Sequence, residues 1–335
     1  MISRGARIVL QLGVTAALLL LLWQLGLGAG LLDRLTGAEP AWLLAGLVWV
    51  SAGTVVAAMR WRHTTICVGV EVGLGVAVRE LYLALFLNQV LPSGMAGDAV
   101  RAWRHGRRAV RERQGGVGSA VRTVIIERVS NVLVVSLLAV TSMMLWSRLP
   151  GAMPTVRTWL PLVGVLVVVV AGLAGLVMLA RRTGGVIERF TRDLGRVLFA
   201  PREAAIQIAL GAAVTGTCMG GFYCAVRALG ASLSVLELLA LVPGVLLAIS
   251  IPISYGGWGL REAAAVALWG MAGRDGGEAL AAAVLYGAVA LVASLPGALV
   301  LALDRPPSGE SSVLAPAEPS EPGAVGGGDV PGPQP

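Results

Sequence analysis

Long apolar runs, each able to cross a bilayer, restrict this chain to one class of fold. A hydrocarbon core asks for about 20 apolar residues per helix. Runs of that kind occupy 8–32, 41–59, 120–146, 159–180, 204–229 and 280–303. In lipid every backbone N–H and C=O has to be satisfied within the protein, so such runs become helices. The expected fold is all-α, a polytopic helical membrane bundle. Composition agrees: 56% of residues are hydrophobic and 13% are charged, against about 25% charged in soluble domains. A soluble globular chain and a disordered one are both excluded. The first run follows Arg4 and Arg7 and exceeds the roughly 7–15 apolar residues of a secretory signal, so it reads as a retained span.

The net charge is +7, and none of the 26 basic residues is lysine. A basic balance can serve nucleic acid, but these arginines sit between apolar runs. That is the positive-inside pattern, and no nucleic-acid partner is expected. The basic segments 60–79, 101–122 and 181–202 go to the cytoplasmic side, and 33–40 and 230–234 go outside. Residues 147–158, with Arg148 and Arg157, are a mild exception. Both termini are expected in the cytoplasm.

Two further stretches are apolar but interrupted, 81–91 and 236–269; the second contains Pro243, Pro252, Gly256, Gly257 and Gly259. Both flanks of the first are assigned to the cytoplasm, so it enters and returns. The second then does the same from the opposite face. Six full spans plus two broken, re-entrant hairpins result. The other solution is that each hairpin crosses completely as two short helices. Pro92, Gly97 and Arg101 recur as Pro252, Gly257 and Arg261 at a constant offset of 160. This suggests an inverted repeat, the arrangement in which broken helices build transporter sites. With 45 glycines in the chain, coincidence also yields such a match. Segment 181–202 fits an amphipathic helix on the inner leaflet, at about 1 kcal/mol per arginine. The tail 304–335 is rich in Pro, Gly, Ser and acids and is expected to be disordered, which leaves 1–303 as the membrane domain.

Three motifs carry chemistry. The first spans 87–101. An apolar half-helix meets Pro92, which ends it, and Gly94 and Gly97 permit a tight turn. Asp98 fits a helix cap, and the turn amides with Arg101 offer an anion site for a phosphate-bearing head group. The same residues also fit a plain turn and cap. The second spans 251–262. Unwound backbone at membrane depth is buried or lines a wet cavity, and Arg261 and Glu262 lead from it into an apolar helix. The competing reading is an interfacial turn anchored by Trp258, with both charges in water. The third is Arg122, Glu127, Arg128 and Asn131. Glu127 lies about 14 Å from a helix start near Gly118, close to mid-bilayer. It is either a functional carboxylate or the partner of a hairpin arginine, and the two roles are compatible.

Cys67, Cys218 and Cys224 have no metal or redox spacing and read as small buried hydrophobes. His63 and His105 read as juxtamembrane. The chain has no P-loop, nucleophile elbow, HExxH or CxxC, and no cofactor or metal is expected.

Together these motifs resemble those of the lysylphosphatidylglycerol synthase transmembrane-region family of flippase-like integral membrane proteins. The resemblance rests on Asn88, Leu91, Pro92, Gly97, Asp98 and Arg101, then Glu127 and Arg128, then Pro252, Ser254, Gly256, Gly257, Gly259, Arg261 and Glu262, within 7–303. Some members of that family carry a soluble aminoacyltransferase domain, and there the membrane part is taken to move the modified lipid. Here a tail follows instead, so the resemblance implies lipid handling or flipping without lipid synthesis, in a bacterial or archaeal cytoplasmic membrane. The expected partner is an anionic phospholipid or a polyprenyl-phosphate-linked sugar. The expected site is Asn88, Pro92, Gly97, Asp98, Arg101, Glu127, Arg128, Ser254, Gly256, Gly257, Arg261 and Glu262. Arg101 and Arg261 would take the phosphate, and Glu127 and Arg128 would hold the hairpins in register or gate them. The alternative is a membrane enzyme or accessory subunit of envelope lipid or glycan synthesis, with Asp98, Glu127 or Glu262 facing a wet cavity. A scaffold that binds a partner through its tail or basic loops is the third reading.

Overall fold

The apolar runs fold as helices in a computed structural model that describes residues 4–24, 30–91, 95–113, 116–146, 148–149, 185–250, 254 and 256–304. In chain order the helices are α1 (Arg4–Gln24), α2 (Leu31–Thr36), α3 (Pro40–Val68), α4 (Leu74–Val90), α5 (Ala96–Arg111) and α6 (Val117–Trp146). They continue as α7 (Val186–Phe199), α8 (Pro201–Ala228), α9 (Val235–Ile249), α10 (Leu260–Met271), α11 (Gly276–Ser294) and α12 (Pro296–Leu303). Among the described residues there is no strand. Four segments are long and apolar enough to cross a membrane: α3, α6, α8 and the continuous stretch Gly276–Leu303. The expected span 159–180 and the tail 305–335 lie outside the described residues. Residues up to Leu301 form one compact unit.

Local chemistry sets the helix ends. Pro40 and Pro201 open α3 and α8 at positions whose N–H has no helical partner. Gly69, at φ 91°, closes α3 in the left-handed region. Ser234 and Glu237 form a reciprocal capping box on α9. Segment 8–32 is not one helix, because Gly30 turns left-handed (φ 72°) and α2 begins anew. Pro243 does not interrupt α9, which runs through it among buried residues. One turn before it, the Ala240 carbonyl accepts a hydrogen bond from Trp146 Nε1 at 3.1 Å.

The basic segments are mostly not loops. α3 continues past residue 59 to Val68, so Arg60 and Arg62 are helical, and only 69–73 connect it to α4. Arg101 through Arg111 belong to α5. The physical reason is that the deepest of these guanidinium groups find partners inside the protein and need no water. Within 181–202, α7 is an amphipathic helix, and its Phe190, Leu194 and Val197 pack against Ile126 of the protein itself.

α6 is the common axis. The α4–α5 hairpin lies along its first half: Gly106 of α5 faces Val117, and Asp98 reaches Arg128. α9 lies along its second half, running from the Trp146–Ala240 contact toward Ile249, which shares a cavity with Val129 and Val132. The two interrupted segments therefore approach from opposite ends of α6 and stop near its middle. α3 and α8 pack closely alongside, where Gly46, Gly53 and Gly221 let the backbones approach.

Candidate functional site

Where α4 meets α5, Gly97 is indispensable: a Cβ there would run into the Ala84 carbonyl. Asn88 serves this contact twice. Its Oδ1 accepts from the Gly97 N–H at 2.9 Å, and its Nδ2 donates to Asp98 Oδ2 at 3.3 Å. Asn88 thus satisfies an otherwise orphaned donor of the first turn of α5. That role was expected of Asp98, whose side chain makes no cap bond.

Asp98 is turned to cations instead. Its Oδ1 accepts from Arg101 Nη2 at 2.9 Å, and its Oδ2 accepts from Arg128. Arg101 Nη2 also donates to Glu127 Oε2 at 2.7 Å, the hairpin pairing expected for Glu127. The Arg101 guanidinium lies 4.8 Å from the centre of the Trp61 ring, which meets His105 edge-on at 5.3 Å. His105, expected beside the membrane, is buried in this stack. Arg60 donates to Asn131 Oδ1 at 2.9 Å, to Ser130 Oγ at 2.7 Å and to Gln207 Oε1 at 3.1 Å. Two guanidinium groups, of Arg101 and Arg128, therefore pair with two carboxylates, of Asp98 and Glu127, while neutral side chains hold Arg60 beside them. Charges at this depth persist only when paired and hydrogen-bonded. Arg101 Nε and Nη1 are nonetheless buried without a hydrogen-bond partner.

The second break is built on backbone that only glycine adopts easily: Gly256, Gly257 and Gly259 have φ of 56°, 82° and 82°. Glu262 Oε2 accepts from the Gly259 N–H at 2.6 Å, and its Oε1 accepts from Arg261 Nε at 3.0 Å and Nη2 at 2.6 Å. The Arg261 guanidinium lies 4.6 Å from the Trp258 ring centre. Both charges are buried, which excludes the interfacial turn with charges in water.

A cavity of about 390 Å³ lies between the two breaks. Asn88, Gln89, Arg128, Asn131, Ser250 and Ser254 give it polar walls, and Leu85, Met95, Val129, Val132 and Ile249 give it apolar ones. Gly256 and Gly257 complete it. Among the described residues of the lining, Arg128 is the cation that faces this space. Its side chain is 42% exposed, against 2% for Arg101 and 3% for Arg261. Two polar atoms at the cavity, Gln89 Oε1 and Ser254 Oγ, are buried without a partner. Among the described residues the lining contains no carboxylate.

Of the expected site, Asn88, Arg128, Ser254, Gly256 and Gly257 come together at the cavity. Asp98, Arg101, Glu127 and Gly97 stand behind it, with Asp98 holding Arg128. Arg261 and Glu262 pair with each other behind the second turn and do not line the cavity. Pro92 and Pro252 lie outside the described residues. Sequence reasoning missed Gln89, Ser250, Arg60 and Gln207.

A second cluster sits at the far end of α3. His63 Nε2 is 2.9 Å from Glu203 Oε2, and Cys67 Sγ is 3.7 Å from the same nitrogen and 3.6 Å from the same oxygen. Cys67 is therefore not simply a small hydrophobe. The spacing of His63 and Cys67, one helical turn, was legible; Glu203, 136 positions from Cys67, was not.

Residues 8–297 match the sequence family described as Lysylphosphatidylglycerol synthase TM region. No curated protein matches the chain significantly.

Proposed function

The chain belongs to the lysylphosphatidylglycerol synthase TM-region family, and from that premise we propose that it is a flippase-like lipid translocase. Membership and the apolar helices make it a multi-pass integral membrane protein of lipid metabolism or transport. The cargo in this reading is an anionic phospholipid or a polyprenyl-phosphate-linked sugar, whose phosphate contacts Arg128.

The observation that carries this reading is the convergence of both breaks on one cavity with one partly exposed guanidinium. Asp98 divides its charge between Arg128 and Arg101, so Arg128 keeps donors for a second anion. Phosphate is the stronger partner for such a fork. Gln89 Oε1 and Ser254 Oγ fit the hydroxyl or ammonium donors of a polar head group. A volume of about 390 Å³ holds a head group and leaves the acyl chains outside, past the exposed Met95 and Leu91. Hairpins placed at opposite ends of α6 would open the cavity to one leaflet or the other by small relative movements. The basic helices α5 and α7 support a reading in which their ends of the bundle face the cytoplasmic side of a cell membrane, with both termini inside.

The competing reading, a transferase, needs a carboxylate facing the substrate. Asp98, Glu127 and Glu262 are each held by arginine, which favours transport.

The test is reconstitution in vesicles with a head-group-labelled phosphatidylglycerol. Wild type should move the label faster than empty vesicles. Arg128→Gln should lower the rate at least about tenfold, since a charge-assisted hydrogen bond is worth roughly 1.5–3 kcal/mol. Equal rates for the two proteins would refute the reading.

A further inference from the structure

We infer that His63, Cys67 and Glu203 form a zinc-class metal site that ties the end of α3 to the start of α8. His63 and Cys67 are one turn apart on α3 and present their side chains on one face. Glu203 lies in the first turn of α8, two residues after Pro201. Their ligating atoms lie within 4.8 Å of one another.

The distances of this hydrogen-bonded trio are also close to those of a metal centre. With sulfur at about 2.3 Å and nitrogen or oxygen at about 2.0–2.1 Å from a tetrahedral ion, sulfur stands about 3.6 Å from nitrogen or oxygen, and nitrogen about 3.4 Å from oxygen. The two sulfur separations here are 3.7 and 3.6 Å. Only the His63–Glu203 contact, at 2.9 Å, has to open, by roughly 0.5 Å, within reach of small side-chain rotations. A nucleophile–base relay is not met. Such a relay places the nucleophile and the orienting acid on opposite ring nitrogens, whereas Cys67 and Glu203 both approach Nε2.

The donor set of one imidazole, one thiol and one carboxylate matches the nitrogen, sulfur and oxygen ligands of zinc. On binding, the thiol proton leaves to solvent and the proton that Nε2 donates to Glu203 leaves that nitrogen, so His63 ligates as a neutral imidazole protonated on Nδ1. Thiolate and carboxylate then balance a divalent ion. His63 and Glu203 are 17% and 27% exposed, so an ion can enter and a fourth position stays open to solvent. Cys67 and Val68 pack against the cluster of Phe190, Leu194 and Val197 on α7. The bound ion would thus fasten the α7–α8 corner to α3. None of the three ligands lines the lipid cavity, so this inference stands or falls apart from the transport reading.

The test uses the full chain without a polyhistidine tag, stripped with chelator and titrated with Co²⁺ in micelles. One Co²⁺ per chain should give tetrahedral d–d absorption and a thiolate-to-cobalt charge-transfer band, and Zn²⁺ should displace both. Cys67→Ser should lose the charge-transfer band, and Glu203→Gln should weaken binding at least about tenfold. The metal-free melting temperature of each variant reports its folding. Absence of the band in wild type, or its persistence in Cys67→Ser with Cys218 and Cys224 as the remaining thiols, would overturn the site.

Discussion

Arg101 and Glu127 stand 26 positions apart in the chain, yet Arg101 Nη2 lies 2.7 Å from Glu127 Oε2, and this bond joins α5 to α6. Removing one partner of a buried pair leaves the other charge uncompensated, at about 3–5 kcal/mol, whereas replacing both with apolar groups is often neutral. Glu127→Leu should therefore destabilise the protein in micellar unfolding, by less than that full cost because Asp98 still holds Arg101. Arg101→Met added to it should recover much of the loss. Equal stability of the single and double variants would show that the pair carries no such coupling.

Gly97→Val should push α5 away from α4, because the added Cβ meets the Ala84 carbonyl. Overpacking of this kind costs about 1–3 kcal/mol, and the Asn88 bond to the Gly97 N–H is lost with it. Gly195→Ala on α7, where a Cβ meets open space, is the control and should leave the melting temperature unchanged or raised.

Val132→Phe adds bulk to the cavity wall. If the cargo occupies that space, an overpacking cost of about 1–3 kcal/mol falls on the occupied state, a loss of roughly fivefold to a hundredfold in binding. Lipid transfer should fall by that order. Leu137→Phe, on an exposed part of the same helix, should leave transfer intact. Equal transfer by wild type and Val132→Phe would move the cargo elsewhere.

Acid should loosen the loop that joins α10 to α11. The Gly277 N–H, and after it Arg34 at 2.8 Å, hold the Asp275 carboxyl below its ordinary range. A depressed folded value stabilises the protein above the unfolded value of about 3.9, and the gain is lost as pH falls through the folded value. The melting temperature of wild type should drop below about pH 4, while Asp275→Asn should lack this component. The effect should be small, because Arg34 and Asp275 are both about half exposed.

The sequence made the helical class, the spans of α3, α6 and α8 and the amphipathic α7 legible, because hydropathy and its period depend on local residues alone. The pairing of Glu127 with a hairpin arginine was legible for a similar reason: a carboxylate at that depth has few acceptable partners. Arg60 was not. Counting positive charge assigns it to water, but Ser130, Asn131 and Gln207 satisfy its guanidinium from 70, 71 and 147 positions away. Asp98 was misjudged as a cap because local rules favour carboxylates at helix starts. Two guanidinium groups outbid an amide N–H for it, and Asn88 took the cap. Which arginine faces the cavity is equally a tertiary matter, since Arg101 and Arg128 differ in exposure but not in local pattern.

Two ion pairs bind α5 to α6 through neighbouring positions, Arg101 with Glu127 and Asp98 with Arg128. Sliding one helix past the other by a single residue, about 1.5 Å, would stretch both at once. The hairpin therefore behaves as a latch with discrete stops, so any rearrangement that uses it should be switch-like, with sparsely populated intermediates.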